Sequence, residues 1–208
     1  MSNFISLTCR SYNALIYSEA MLLDIPGFIA ELKSHAVEHG FHIHDERHFI
    51  ETYTMRQAFE IDLHPESACG GPVDLQLSLD LEPRTLMSFE DEIMMLSDDA
   101  YPSEDLTLDL LFTWQLPPLA HGPDLLVLAT ELAGISGTEL PTQVSAVDSF
   151  TDVTDQAERS LGVTSRLEIP LADLSHGDEN SIICDALDRC SEISDYLLNQ
   201  VPAWLGSD

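Results

Sequence analysis

Positive charge is what this chain has least of. Lys33 is its only lysine, and 8 Lys and Arg stand against 37 Asp and Glu, a formal net charge of -29. Nucleic-acid backbones and anionic lipid surfaces are held mainly by Lys and Arg, so the balance argues against both as direct partners. Cysteine is sparse too. Cys9, Cys69, Cys184 and Cys190 show no Cys-x-x-Cys spacing, and four cysteines in a chain of 208 residues do not make a disulfide framework. Reduced thiols and a cytoplasmic location are expected. No basic stretch followed by a long apolar run opens the sequence, and no uninterrupted apolar segment reaches the length of a membrane span.

Catalytic signatures are missing as well. Gly134-Ile135-Ser136-Gly137 is one residue short of a Gly-x-Ser-x-Gly elbow and follows a helical pattern, so it reads as a helix stop. No glycine-rich loop ends in Lys-Ser or Lys-Thr; Gly70-Gly71-Pro72 reads as a turn. Asp98-Asp99 and the Asp148, Asp152, Asp155 group lack the Asp-x-Asp-x-Asp-Gly order of a calcium loop. Cys69 lies in a loop, and no basic residue adjoins it in sequence to activate the thiol. No complete set of acid, base and nucleophile can be assembled from spacing, so no catalytic residue is named and no cofactor is expected.

What is present is enough apolar material to fold: 44% of residues are hydrophobic. Val73, Leu75, Leu77, Leu79 and Leu81 alternate with Asp74, Gln76, Ser78 and Asp80, and Leu106 to Leu116 repeat the pattern through Phe112 and Trp114. Period two of this kind marks strands with one wet face. Phe49 to Met55 with Ala58 to Leu63 suggest a hairpin, while Phe4 to Cys9, Phe41 to His44, Val144 to Phe150 and Val163 to Ile169 are weaker strands. Helical spacing runs through Ile25, Phe28, Ile29, Leu32 and Ala36, and through Ile182 to Val201. Ser88 with Asp91 resembles a capping box opening a helix to Leu96, and Pro123-Asp124 opens another to about Ile135. The fold class expected is α+β: a mostly antiparallel sheet of about six to eight strands, four or five helices, and a long C-terminal helix packed on the sheet. Residues 1–208 read as one domain, with any boundary between subdomains near 97–105.

The acid is unevenly spread. From Thr85 to Glu158 there is no Lys or Arg. Within that stretch Glu90, Asp91, Glu92, Asp98, Asp99, Glu104 and Asp105 are the candidate partner-binding residues, with Met94, Met95 and Tyr101 as apolar anchors. For the two methionines, core packing is an equal alternative. The N-terminal quarter instead holds five of the eight histidines. His35 and His39 sit one turn apart on a helix, and His42 and His44 project from one face of the next strand, spacings that permit a metal site. Surface or half-buried imidazoles are the plainer reading.

The functional expectation is a non-enzymatic acidic protein-interaction module, of chaperone, inhibitor or mimic type, that binds a basic protein or segment. Two alternatives stand beside it. One is a metal-binding protein or enzyme built on the histidines; the other is an acid-rich domain adapted to salt, whose charge is unrelated to function.

Overall fold

The computed structural model describes residues 24–96, 102–150, 152, 157–176 and 180–206. These contain five α-helices, one 3-10 turn and a six-stranded sheet. In chain order they are α1 (Ile25–Glu38), β1 (Phe41–Ile50), β2 (Gln57–Pro65), the 3-10 turn Glu66–Ala68, β3 (Asp74–Leu81), α2 (Pro83–Met95), β4 (Thr107–Gln115), α3 (Leu125–Ser136), β5 (Thr142–Ser149), β6 (Glu158–Pro170), α4 (Leu171–His176) and α5 (Asn180–Leu205). Every strand pairing is antiparallel, in the order β1-β2-β3-β4-β6-β5. The α+β class, the antiparallel sheet and the long last helix are therefore as the sequence pattern indicates.

Alternation decides which face is dry. Phe59, Ile61 and Leu63 of β2, Leu75 to Leu81 at every second position of β3, and Leu108, Leu110, Phe112 and Trp114 of β4 are buried. The residues between them form the opposite, polar face. At about 1.5 Å per residue, the 26 residues of α5 span about 39 Å. Its stripe Ile183, Ala186, Leu187, Cys190, Ile193, Leu197 and Val201 joins the same core as the strands and α1. The junction is also polar at one point: Trp114 Nε1 donates to Ser194 Oγ at 2.9 Å, and Ser194 Oγ donates to the Cys190 carbonyl at 2.8 Å. A buried indole N–H left without an acceptor would cost about 1–3 kcal/mol, so Ser194 makes the helix seat specific as well as apolar.

Several boundaries differ from those read in the sequence, each for a physical reason. The capping box at Ser88 does not form. The helix begins five residues earlier, at Pro83, directly after β3, because proline at the first helical position needs no N–H partner. Phe41–His44 and the start of Phe49–Met55 belong to one strand, β1, which ends at Ile50; Glu51 to Arg56 make the turn, with Met55 at φ 60°. β6 begins at Glu158, five residues before the expected Val163, and a short helix, α4, follows Pro170. The expected strand Phe4 to Cys9 lies outside the described residues.

Candidate functional site

Two places gather chemistry-bearing side chains. The first is the outward face of α2. Phe89 is buried, with Leu86 and Ile93 half-buried against the core, so this edge of the helix is fixed inward. Met87, Asp91, Met94 and Met95 follow at spacings of four, three and one, which places them together on the opposite side. The methionines are 62, 75 and 86% exposed, so core packing is not their role. Glu90 and Glu92 flank this row, half-buried. Glu92 accepts a hydrogen bond from the backbone N–H of Ser103 at 2.6 Å, which ties the segment carrying exposed Glu104 and Asp105 to the C-terminal half of the helix. The bond thus sets Glu104 and Asp105 near Glu92, while Glu90 and Glu92 lie on opposite flanks of the exposed row. Asp98, Asp99 and Tyr101 lie outside the described residues.

Most of the cations are committed elsewhere, but Arg84 stands exposed in the first turn of α2, three residues before Met87 and seven before Asp91 on the same side of the helix. Arg47 binds Asp45, Glu60 and Asp62 across β1 and β2, Arg56 binds Asp80, Lys33 binds Glu46, Arg159 binds Asp148, and Arg166 binds Asp109 and Glu168. Most of these pairs lie on or beside the strands, and none reaches Glu90, Asp91 or Glu92 among the described residues. Of the carboxylates between Thr85 and Glu158, only Asp109 and Asp148 have a cationic partner there.

The second place is on the polar face of the sheet, at its β1 edge. His42 and His64 are directly paired across β1 and β2. A register shift between Ile43 and Asp45 makes His44 the extra residue of a β-bulge, which re-aims its side chain. The His44 ring stacks on that of His64 with centroids 4.2 Å apart, and their Nε2 atoms are 3.0 Å apart. The chain leaves β2 through the 3-10 turn and delivers Cys69 to the same spot, its Sγ 3.1 Å from His42 Nδ1 and 3.2 Å from His64 Nε2. One donor atom from each of His42, His44 and Cys69 lies within 4.8 Å of the other two. His64 is 9% exposed; burial, then the neighbouring His44 ring, lower its pKa, with Asp74 acting the other way. A depression of about 430 Å³ lined by His44, Arg47, Asp62, His64, Asp74 and Gln76 opens beside the cluster.

His42 and His44 therefore meet, but His35 and His39 are not with them. Gly40, at φ 81°, reverses the chain after α1, and α1 packs on the apolar face. His39 Nδ1 lies 2.7 Å from Asp188 of α5, and His35 Nδ1 lies 3.9 Å from Glu38. The two members that spacing missed are His64 and Cys69. Part of a signal existed: a hairpin closing at 51–56 puts residue 64 opposite 43 in regular register, and the bulge at His44, which no local pattern shows, shifts it opposite 42. Cys69 is also not the isolated thiol that its sequence neighbours suggest, because imidazoles adjoin it in space.

No family model, curated protein or solved structure matches the chain, so the functional reading rests on its own residues. No described helix is long and apolar enough to cross a membrane.

Proposed function

We propose that the protein is a non-enzymatic interaction module whose α2 face receives a basic, amphipathic segment of a partner protein. The observation that supports this is the exposed row Met87, Met94 and Met95, set beside Glu90, Asp91, Glu92, Glu104 and Asp105 with no arginine or lysine pairing to α2's acids among the described residues. Methionine is flexible and polarizable, so such a row adapts to apolar anchors of varied shape. A local excess of carboxylates, with Arg84 the one cation on the helix, raises the encounter rate with a cationic segment and disfavours acidic ones.

A lysine-rich amphipathic helical peptide is the probe. The full chain should bind it with an affinity that falls as salt rises. The charge-neutralising variant E90Q/D91N/E92Q should weaken binding about tenfold at low salt and flatten the salt dependence, a change of about 1.4 kcal/mol. M87S/M94S/M95S should weaken binding at every salt concentration, because it removes the apolar contacts. Equal affinity in all three proteins, or no binding by the native chain, would overturn the proposal.

A further inference from the structure

We propose that His42, His44 and Cys69, with His64 as the fourth donor, bind a single transition-metal ion of the zinc(II) type on the polar face of the sheet. Three imidazoles and one thiol are a nitrogen and sulfur set, the chemistry that suits zinc, copper, cobalt or nickel rather than calcium or magnesium, which prefer oxygen. Bonds of about 2.0 Å to nitrogen and 2.3 Å to sulfur put the corners of a tetrahedron roughly 3.3–3.7 Å apart. Three of the six separations among the four donors are 3.0, 3.1 and 3.2 Å, and the donors of His42, His44 and Cys69 all lie within 4.8 Å of one another. Insertion of an ion therefore needs a widening of a few tenths of an ångström at those three contacts and a side-chain adjustment of about an ångström or less to bring the more open pairs within the 4.8 Å set to the same spacing.

The scaffold is suited to hold such a site. His42 and His64 are fixed by the ladder between β1 and β2, and the bulge at His44 turns its ring toward them. Donors on hydrogen-bonded strands are positioned more tightly than donors on loops. Asp74 Oδ1 stands 3.9 Å from His64 Nδ1, the ring nitrogen not facing the cluster. A carboxylate there orients a ligating imidazole, directly or through one water. His42, His44 and Cys69 are exposed, so an ion has a route in. On binding, the Cys69 thiol gives its proton to solvent as the sulfur to metal bond forms, and the imidazoles bind as neutral ligands.

The test is cobalt(II) titration of the full, chelator-stripped and reduced chain, followed by zinc(II) displacement. One equivalent of cobalt should bind, with a thiolate-to-cobalt charge-transfer band and visible absorption of tetrahedral intensity, and zinc should bleach both. C69S should lose the charge-transfer band and bind zinc roughly a hundredfold more weakly, since even outer partners of metal ligands are worth about 10–100-fold. H44A should show a similar loss, and H64A should shift the visible absorption toward lower, higher-coordinate intensity. H39A, on the far side of Gly40, should leave both spectrum and affinity unchanged. Thermal melting of each metal-free variant checks that it is folded; should C69S not fold, H44A carries the comparison. Weak uptake of several ions with no charge-transfer band, or uptake identical in native chain, C69S and H44A, would overturn the assignment. The four residues would then be a hydrogen-bonded thiol and imidazole cluster alone.

Discussion

Ser194 shows how much a single hydroxyl can carry in this fold. It relays between the buried Trp114 N–H and the Cys190 carbonyl. S194A should lower unfolding free energy by about 1–3 kcal/mol, measured by denaturant melting, because the indole N–H loses its acceptor inside the core. The inward face of Trp114 was legible from alternation in β4. Its partner was not, since the two residues are 80 positions apart and no local rule couples them. The same limit hid the histidine and cysteine cluster: spacing puts His42 and His44 on one face, but only the strand register adds His64. A second residue-scale expectation concerns acid. Arg159 donates to Asp148 at 2.6 and 2.8 Å, and this hydrogen bonding, ahead of charge attraction, holds the Asp148 carboxyl below its ordinary value of 3.8. A depressed folded value means that the contribution is present above pH 3.8 and fades as pH falls through the folded value. The stability gap between the native chain and D148N should therefore close at the acid end of a pH series; a gap that widens there contradicts the assignment. Asp148 is exposed, so the gap should be small throughout.

At the scale of elements, helix ends tell which local signals are strong enough to read. Asp124 caps α3 by accepting from the N–H groups of Leu126 and Val127 at 2.9 and 3.2 Å, as Pro123-Asp124 in the sequence suggests. D124A should cost about 0.5–2 kcal/mol, read as a lower melting temperature with native strand content retained. The far end of α3 stops at Gly137, as the sequence suggests, with the Gly137 N–H donating to the Ala133 carbonyl; what the sequence could not supply is Arg189 of α5, which donates to the Ile135 carbonyl at 2.8 Å. The onset of α2 was misplaced because a plausible cap, Ser88, outcompeted Pro83 on paper, whereas in the fold β3 runs straight into the proline and leaves no room for a loop. Repeated apolar spacing made α1 and α5 legible, since each buries one continuous stripe. The six residues of α4 are too few to show a period.

For the whole molecule, the question is whether the acid excess serves a partner or only shapes stability, and salt separates the two. The described ion pairs engage Lys33, Arg47, Arg56, Arg159 and Arg166, a small number against 37 acidic side chains. Exposed pairs contribute about 0–1 kcal/mol each, so their loss in salt is minor. Self-repulsion at a net charge of -29 acts over the entire surface, and screening relieves it. Between about 0.01 and 0.15 M salt the Debye length falls from roughly 30 to 8 Å, shorter than the span of α5. The melting temperature should therefore rise across that range. Peptide binding at α2 should move the other way, weakening over the same interval, because there the carboxylates face an opposite charge rather than one another. A chain whose charge is purely an adaptation to salt would show the first trend without the second. Measuring both on one preparation decides the matter: a stability that rises while peptide affinity stays flat or undetectable rejects the interaction module, and opposite slopes, of which E90Q/D91N/E92Q flattens the binding slope and leaves the melting slope, support it.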